Sequence, residues 1–135
     1  MVRAVIDTNV LVSALIHDGK PRKLILELLN RHTVILSRQI LAELADVAGR
    51  DKFHVTGLQV ERFLSIMVRM AKIVPDNALF KEVSQDPDDN VVLNAAYAGK
   101  ADYIITGDKH LLTLNQFKKT KIVTVNQMLD LLVMQ

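Results

Sequence analysis

The chain has 135 residues, enough for one ordinary domain that buries roughly two-thirds of its unfolded surface. Half of the residues are hydrophobic but only 4% are aromatic, so the core must be aliphatic, and the absence of cysteine excludes disulfides and thiolate metal sites. The net charge of +2 permits a nucleic-acid partner without demanding one, no apolar run reaches the length of a membrane span, and the N-terminus turns acidic too early for a signal peptide, so the expected location is cytoplasmic.

Arg3 to Asp7 reads as a strand that ends on an acid. Leu24, Ile25, Leu28 and Leu29 then recur at helix spacing, with Pro21 suited to the first turn. Thr33 to Ser37 is a second strand. Ile40, Leu41, Leu44, Ala45 and Ala48 form the next helical stripe, and Gly49 is a stop signal. Thr56-Gly57-Leu58-Gln59 has the form of a capping box, opening a helix whose inner face is Phe63, Leu64, Met67 and Val68.

Ile73-Val74 before Pro75 is a short third strand. Val91 to Ala98 is helical, with Gly99 as its expected C-terminal cap. Tyr103 to Thr106 and Ile122 to Val125 are the last two strands. Thr124-Val125-Asn126-Gln127 is a second capping box, starting a helix through Met128, Leu129, Leu132 and Val133. No repeat or linker interrupts this order, so residues 1–135 form one domain. Strands alternating with helices imply crossovers and a mostly parallel sheet covered on both faces. Such sheets place their sites at the carboxyl ends of the strands.

Acids gather at that edge. Asp7 follows the first strand and Asp108 the fourth. Glu43 lies in the helix after strand two. Asp86-Pro87-Asp88-Asp89-Asn90 opens the helix before strand four. Two unit charges at ~4 Å repel by about 4 kcal/mol at an effective dielectric near 20. A divalent cation would cancel that repulsion, and an all-oxygen donor set suits Mg²⁺ or Mn²⁺. Such an ion activates water and polarises a phosphoryl oxygen, so the pattern points to phosphate-ester hydrolysis. Singly, the acids have plainer explanations. Asp88, Asp89 and Asp108 each stand where an N-cap belongs. Glu43 beside an apolar stripe and Asp7 at the end of a central strand are harder to explain as structure.

These residues resemble a known family. Val5-Ile6-Asp7-Thr8-Asn9-Val10-Leu11-Val12-Ser13-Ala14 is similar to the N-terminal signature of PIN domains. Asp86-Pro87-Asp88-Asp89-Asn90 with Ala95-Ala96, and Asp102-Tyr103-Ile104-Ile105-Thr106-Gly107-Asp108-Lys109-His110-Leu111-Leu112, resemble the later ones. The likeness runs over essentially the whole chain, and is greatest to the toxin branch of prokaryotic toxin–antitoxin systems. It implies a three-layer α/β/α sandwich with a mostly parallel five-stranded sheet, order 3-2-1-4-5. It also implies a ribonuclease dependent on Mg²⁺ or Mn²⁺, with the acidic quartet Asp7, Glu43, Asp89 and Asp108 and a fifth carboxylate, Asp86. Asn9 and Thr106 match polar positions beside the site. Thr8 is similar, either orienting Asp7 or capping the first helix. An antitoxin and a homodimer are what the resemblance implies for partners; the wealth of Leu, Val and Met in so small a chain points to apolar residues on the helices around Phe63 and Met67 as the homodimer contact. Asn90 and His110 depart from the pattern, standing where relatives often carry acids.

Lys20, Arg22 and Lys23 follow the loop that starts near Asp7 and are candidates for a phosphate backbone, as are Lys109 and His110 beside Asp108. Lys118, Lys119 and Lys121 read better as a solvated flank. No aromatic platform for unpaired bases is visible. A phosphatase of the haloacid dehalogenase type would want a second Asp where Asn9 stands, and a receiver-type domain has no use for Glu43. The remaining rival is a PIN scaffold with weak catalysis that binds RNA or a protein partner.

Overall fold

The computed structural model describes residues 1–76, 79–81, 83 and 86–134. In chain order the elements are β1 (Arg3–Ile6), α1 (Thr8–Ile16), α2 (Lys20–Arg31), β2 (Thr33–Ser37), α3 (Arg38–Ala48), a 3₁₀ turn (Asp51–Phe53), α4 (Gly57–Met70), β3 (Lys72–Val74), α5 (Pro87–Gly99), β4 (Tyr103–Ile105), α6 (Lys109–Leu114), β5 (Gln116–Phe117), β6 (Thr120–Val123) and α7 (Val125–Val133). The sheet order is β3-β2-β1-β4-β6-β5. Every pairing is parallel except β5 with β6. The expected five-strand order is present, and the sixth strand is a correction to it. β5 is two residues long and returns into β6 through Lys118-Lys119, with Lys118 at φ 55°. No Gly or Asn marks that left-handed position, so no turn signal announced the hairpin.

The core is aliphatic, as composition required. Ala4, Val5, Ile6, Ile35, Leu36, Ile104 and Ile105 fill the sheet and are essentially inaccessible. Leu24, Leu28, Ile40, Leu44, Leu93 and Met128 cover it from the helices. Both capping boxes formed, at Thr56 with Gln59 and at Thr124 with Gln127. Gly49 caps α3 as expected. Gly99 does not cap α5: Lys100 does, in the left-handed region at φ 52°. Gly99 instead lets α5 approach β2, where an added Cβ would lie 2.6 Å from Ile35 Cγ2. Val68 and Val133, expected to face inward, are exposed.

Arg22 has a structural role at this level. Its guanidinium donates to the carbonyls of Ala14 (2.7 Å) and Leu15 (2.8 Å), in the last turn of α1. Those carbonyls have no helical partner, and a cation suits that end of a helix. Arg22 thus braces α1 against α2. Arg22→Ala should cost about 1–3 kcal/mol, the range for charged hydrogen bonds lost from a partly buried site. A lower urea midpoint at unchanged m-value would show it.

Candidate metal centre

The parallel sheet brings the acids to one edge because β1, at its centre, and its neighbours all end there. Asp7 continues β1 by donating its N–H to the Ile105 carbonyl (2.9 Å), while its own carbonyl accepts from Val10 and Leu11 to start α1. Thr106 extends β4 in the same way, donating its N–H to Val123 (3.0 Å). The Thr106 hydroxyl then joins two acids: it donates to Asp7 Oδ2 (2.7 Å) and accepts from the Asp108 N–H (3.0 Å). Thr106 is fully buried, so this bridge is held rigidly. Asp108 caps α6 by accepting from the His110 N–H (2.7 Å). Lys109 and His110 are exposed beside it.

On the opposite side, Asp86 is the N-cap of α5, accepting from the Asp88 N–H (3.0 Å). The plain capping role expected of Asp88 thus falls to Asp86. Asp88 is exposed in the first turn, and Asp89 is buried with the α5 face. Asp86, Asp89 and Asp108 each present an oxygen, and these three lie within 4.8 Å of one another. Asp7 and Glu43 are outside that group of three but within its electrostatic field. Burial raises the Asp7 pKa from its ordinary value; the Thr106 hydrogen bond and the Thr8 backbone oppose the rise, while Asp108 and Asp86 add to it. Glu43 is raised by burial first, then by Asp88 and Asp7, and the Thr8 side chain lowers it. Six carboxylates, from the end of β1, α3, the start of α5 and the β4–α6 turn, are therefore gathered at this edge. Thr8, Asn9 and Thr106 surround them; Asn9 is exposed on α1.

These residues fit a hard divalent cation on two observations. Every available donor is oxygen. In addition, Thr8 Oγ1 is buried without a hydrogen-bond partner among the described residues, although it lies near enough to Glu43 to favour its charge. A buried hydroxyl with no partner loses its hydration, and a water ordered by a cation would restore it. Thr8 does not cap α1, because the N-cap position belongs to Asp7.

Two residues carry a role that the sequence reading missed. Asn94, buried on α5, accepts from the Phe80 N–H (2.9 Å) and donates to its carbonyl (2.8 Å). Asn90 donates to the Lys81 carbonyl (2.9 Å). Together they fasten residues 80 and 81 to the helix that carries Asp86 and Asp89. Phe80 packs edge-on against Tyr97 and Phe117, and Lys118 lies over it at 5.3 Å. The signal was a polar Asn94 amid the apolar face of α5, since a buried Asn needs a partner. Asn90 serves the backbone where relatives often have an acid.

The fold is a parallel α/β domain with carboxylates clustered at the carboxyl edge of its central strands. The chain belongs to the PIN domain family, whose model matches residues 3–110. It is similar to an uncharacterized protein of Methanocaldococcus jannaschii, 37% identical over 124 residues, covering 87% of this chain and 78% of that one. Its fold is similar to the crystal structure of VapBC2 from Rickettsia felis bound to a DNA fragment from their promoter. That match has a TM-score of 0.64 and 18% identity, and covers 90% of this chain and 98% of the other. Among the described residues, no helix is long and apolar enough to cross a membrane.

Proposed function

We propose that this protein is a PIN-type endoribonuclease, dependent on Mg²⁺ or Mn²⁺ and serving as the toxin of a toxin–antitoxin pair in the cytoplasm. The observation that carries the reading is the approach of Asp86, Asp89 and Asp108 within 4.8 Å, with Asp7 and Glu43 held in the same field. Uncompensated, such an arrangement costs folding energy. The ligand set assigned to the ion is Asp7, Glu43, Asp89 and Asp108, with Asp86 beside them. When bound, the ion supplies Lewis acidity and a more acidic water for phosphodiester hydrolysis.

The protein's own residues do the rest. Thr106 fixes one oxygen of Asp7 and the backbone of Asp108, so both carboxylates keep one orientation through the reaction. Glu43 is partly buried among acidic neighbours, so its charge is costly without a cation and would be relieved by one. Lys109 and His110, exposed next to Asp108, are assigned to substrate phosphates. Lys20, which lines a depression with Thr106 and Gly107, and Lys23 are assigned to the same backbone, whereas Arg22 is bonded to α1.

For partners, the antitoxin is assigned to the apolar groove between α2 and α4, where Leu26, Leu29, Phe63 and Ile66 line a cavity of about 300 Å³. The homodimer around Phe63 and Met67 needs other residues as well, because Met67 is buried. Leu58, Val68 and Met70 supply exposed apolar surface on α4.

The direct test is cleavage of a labelled RNA with Mn²⁺, Mg²⁺ or EDTA. Asp89→Asn should lower the rate on the order of 10²–10³-fold, as loss of a preorganised electrostatic contact does, and EDTA should abolish cleavage by the unmodified protein. Equal cleavage by both proteins, or cleavage in EDTA, would remove the assignment and leave an RNA- or protein-binding scaffold.

A further inference from the structure

Asn94 is an unfavourable residue type for its place. It is 6% exposed and flanked on α5 by the buried Val92, Leu93, Ala95 and Ala96, where an apolar side chain would pack without needing partners. Its amide accepts from the Phe80 N–H, donates to the Phe80 carbonyl, and also donates to the Asn90 carbonyl (2.8 Å). Asn90 in turn donates to the Lys81 carbonyl, which closes a loop over residues 81–90. Asp86, Asp88 and Asp89 all lie inside that loop. The Phe80 ring is held as well, edge-on to Tyr97 of α5 (5.1 Å) and to Phe117 of β5 (5.0 Å). A satisfied buried polar network of this kind specifies one arrangement of the chain it joins.

The first turn of α5 has a reason to open. Asp86, Asp89 and Asp108 present oxygens within 4.8 Å of one another, and like charges so close repel. Two bonds within the turn oppose that: the Asp88 N–H to Asp86 Oδ1 (3.0 Å) and the Asp89 N–H to the Asp86 carbonyl (3.1 Å). Both need Asp86 in place, and the chain reaches Asp86 from Lys81, five positions earlier.

We propose that Asn94 is a positioning residue: by clasping Phe80 and Lys81 to α5, it keeps the acid-bearing first turn formed before a cation binds. The clasp rests on the metal-centre reading for its purpose but not for its geometry. Without it, the turn relaxes to separate its charges, and the cation must order that turn as it binds. Ordering on binding is subtracted from affinity.

One test needs no metal. In EDTA, hydrogen exchange at the Asp88 and Asp89 amides should be about tenfold faster in Asn94→Leu, and faster also in Phe80→Ala, whose ring is only partly buried, so that this variant carries the test if Asn94→Leu fails to fold. Thr56→Ala, which removes the N-cap of α4, lowers global stability away from the acids and should change exchange at these two amides less than about twofold. The second test is Mn²⁺ binding by calorimetry. Asn94→Leu should weaken it about tenfold, as loss of roughly one net hydrogen bond does. The double variant with Phe80→Ala should bind no more weakly than Asn94→Leu alone, because both act through one clasp. In cleavage, the half-saturating Mn²⁺ concentration should rise by the same factor, while KM for RNA and the rate at saturating Mn²⁺ stay within about twofold. Exchange no faster than in Thr56→Ala, in a protein that binds Mn²⁺, overturns the clasp and leaves the metal centre standing. Faster exchange in both variants of a protein that binds no divalent ion upholds the clasp and removes the metal-centre reading.

Discussion

Asp7→Asn should make the metal-free protein more stable while abolishing its metal-dependent activity. The Asp7 carboxylate is buried, and its pKa is raised mainly by desolvation, with Asp108 and Asp86 adding to the rise. A carboxylate whose pKa is higher in the folded state binds its proton more tightly there than in the unfolded chain. The folded state then holds more protons between the two pKa values, and stability falls as pH rises through that window. At neutral pH the charged form is therefore a cost. Asparagine keeps an oxygen to accept from Thr106, at 2.7 Å in the native protein, and removes the charge.

Three measurements separate this from an ordinary structural effect. In EDTA at neutral pH, Asp7→Asn should melt higher than the unmodified protein. Lowering the pH from neutral should stabilise the unmodified metal-free protein, as Asp7 and Glu43 protonate, and the variant should show a shallower dependence. Adding Mn²⁺ should raise the melting temperature of the unmodified protein most at neutral pH, and that gain should be nearly lost in the variant. Cleavage should fall on the order of 10²–10³-fold or more. A variant that melts lower in EDTA and keeps its response to Mn²⁺ would show Asp7 to be a structural residue.

The second large effect is at Gly99. Its φ is not positive, so alanine is conformationally permitted there. By helix propensity alone, Gly99→Ala should gain about 0.5–1 kcal/mol. The close approach of α5 to β2 reverses the sign. The new Cβ would lie 2.6 Å from Ile35 Cγ2 and 2.9 Å from Cδ1, and Ile35 is fully buried with no room to move. Overpacking of this kind costs about 1–3 kcal/mol, and Gly99→Leu should exceed that range. Because α5 carries Asp86 and Asp89, any relief by helix displacement should also lower metal affinity. In an Ile35→Ala background the clashing Cγ and Cδ atoms are gone, and Gly99→Ala should become neutral or stabilising. A double-mutant cycle in urea measures that coupling. An unchanged cost in both backgrounds would place the strain elsewhere.

Features decided within a few residues of chain are legible in the sequence, and those decided by distant neighbours are not. Helix starts were readable where a side chain satisfies its own backbone, as at Thr56 and Thr124, because capping is decided within four residues. The parallel order of the strands followed from their alternation with helices. The short hairpin at Gln116–Phe117 did not, since β5 exists only because β6 lies beside it and Lys118 accepts a left-handed backbone without a glycine signal. Gly99 read as a cap and proved to be a packing residue. The difference lies in Ile35, sixty-four positions away in sequence and in contact in space.

The candidate site shows the same division. The chain's own pattern determined which acids end strands or open helices, and pointed Asp7, Glu43, Asp86, Asp89 and Asp108 to one edge of a parallel sheet. Strand direction alone is enough for Asp7 and Asp108, because every parallel strand ends on the same side; Glu43, Asp86 and Asp89 lie on or at the start of helices, and packing brings them there. Tertiary structure decided the finer matters. It assigned the α5 cap to Asp86, tied Asp7 to Asp108 through Thr106, and engaged Arg22 with the carbonyls of α1. It also fastened Phe80 and Lys81 to α5 through Asn94 and Asn90. Each of these depends on distances between side chains from different elements. Periodicity and capping fix where an element begins and which face it buries, but only packing fixes what that face meets.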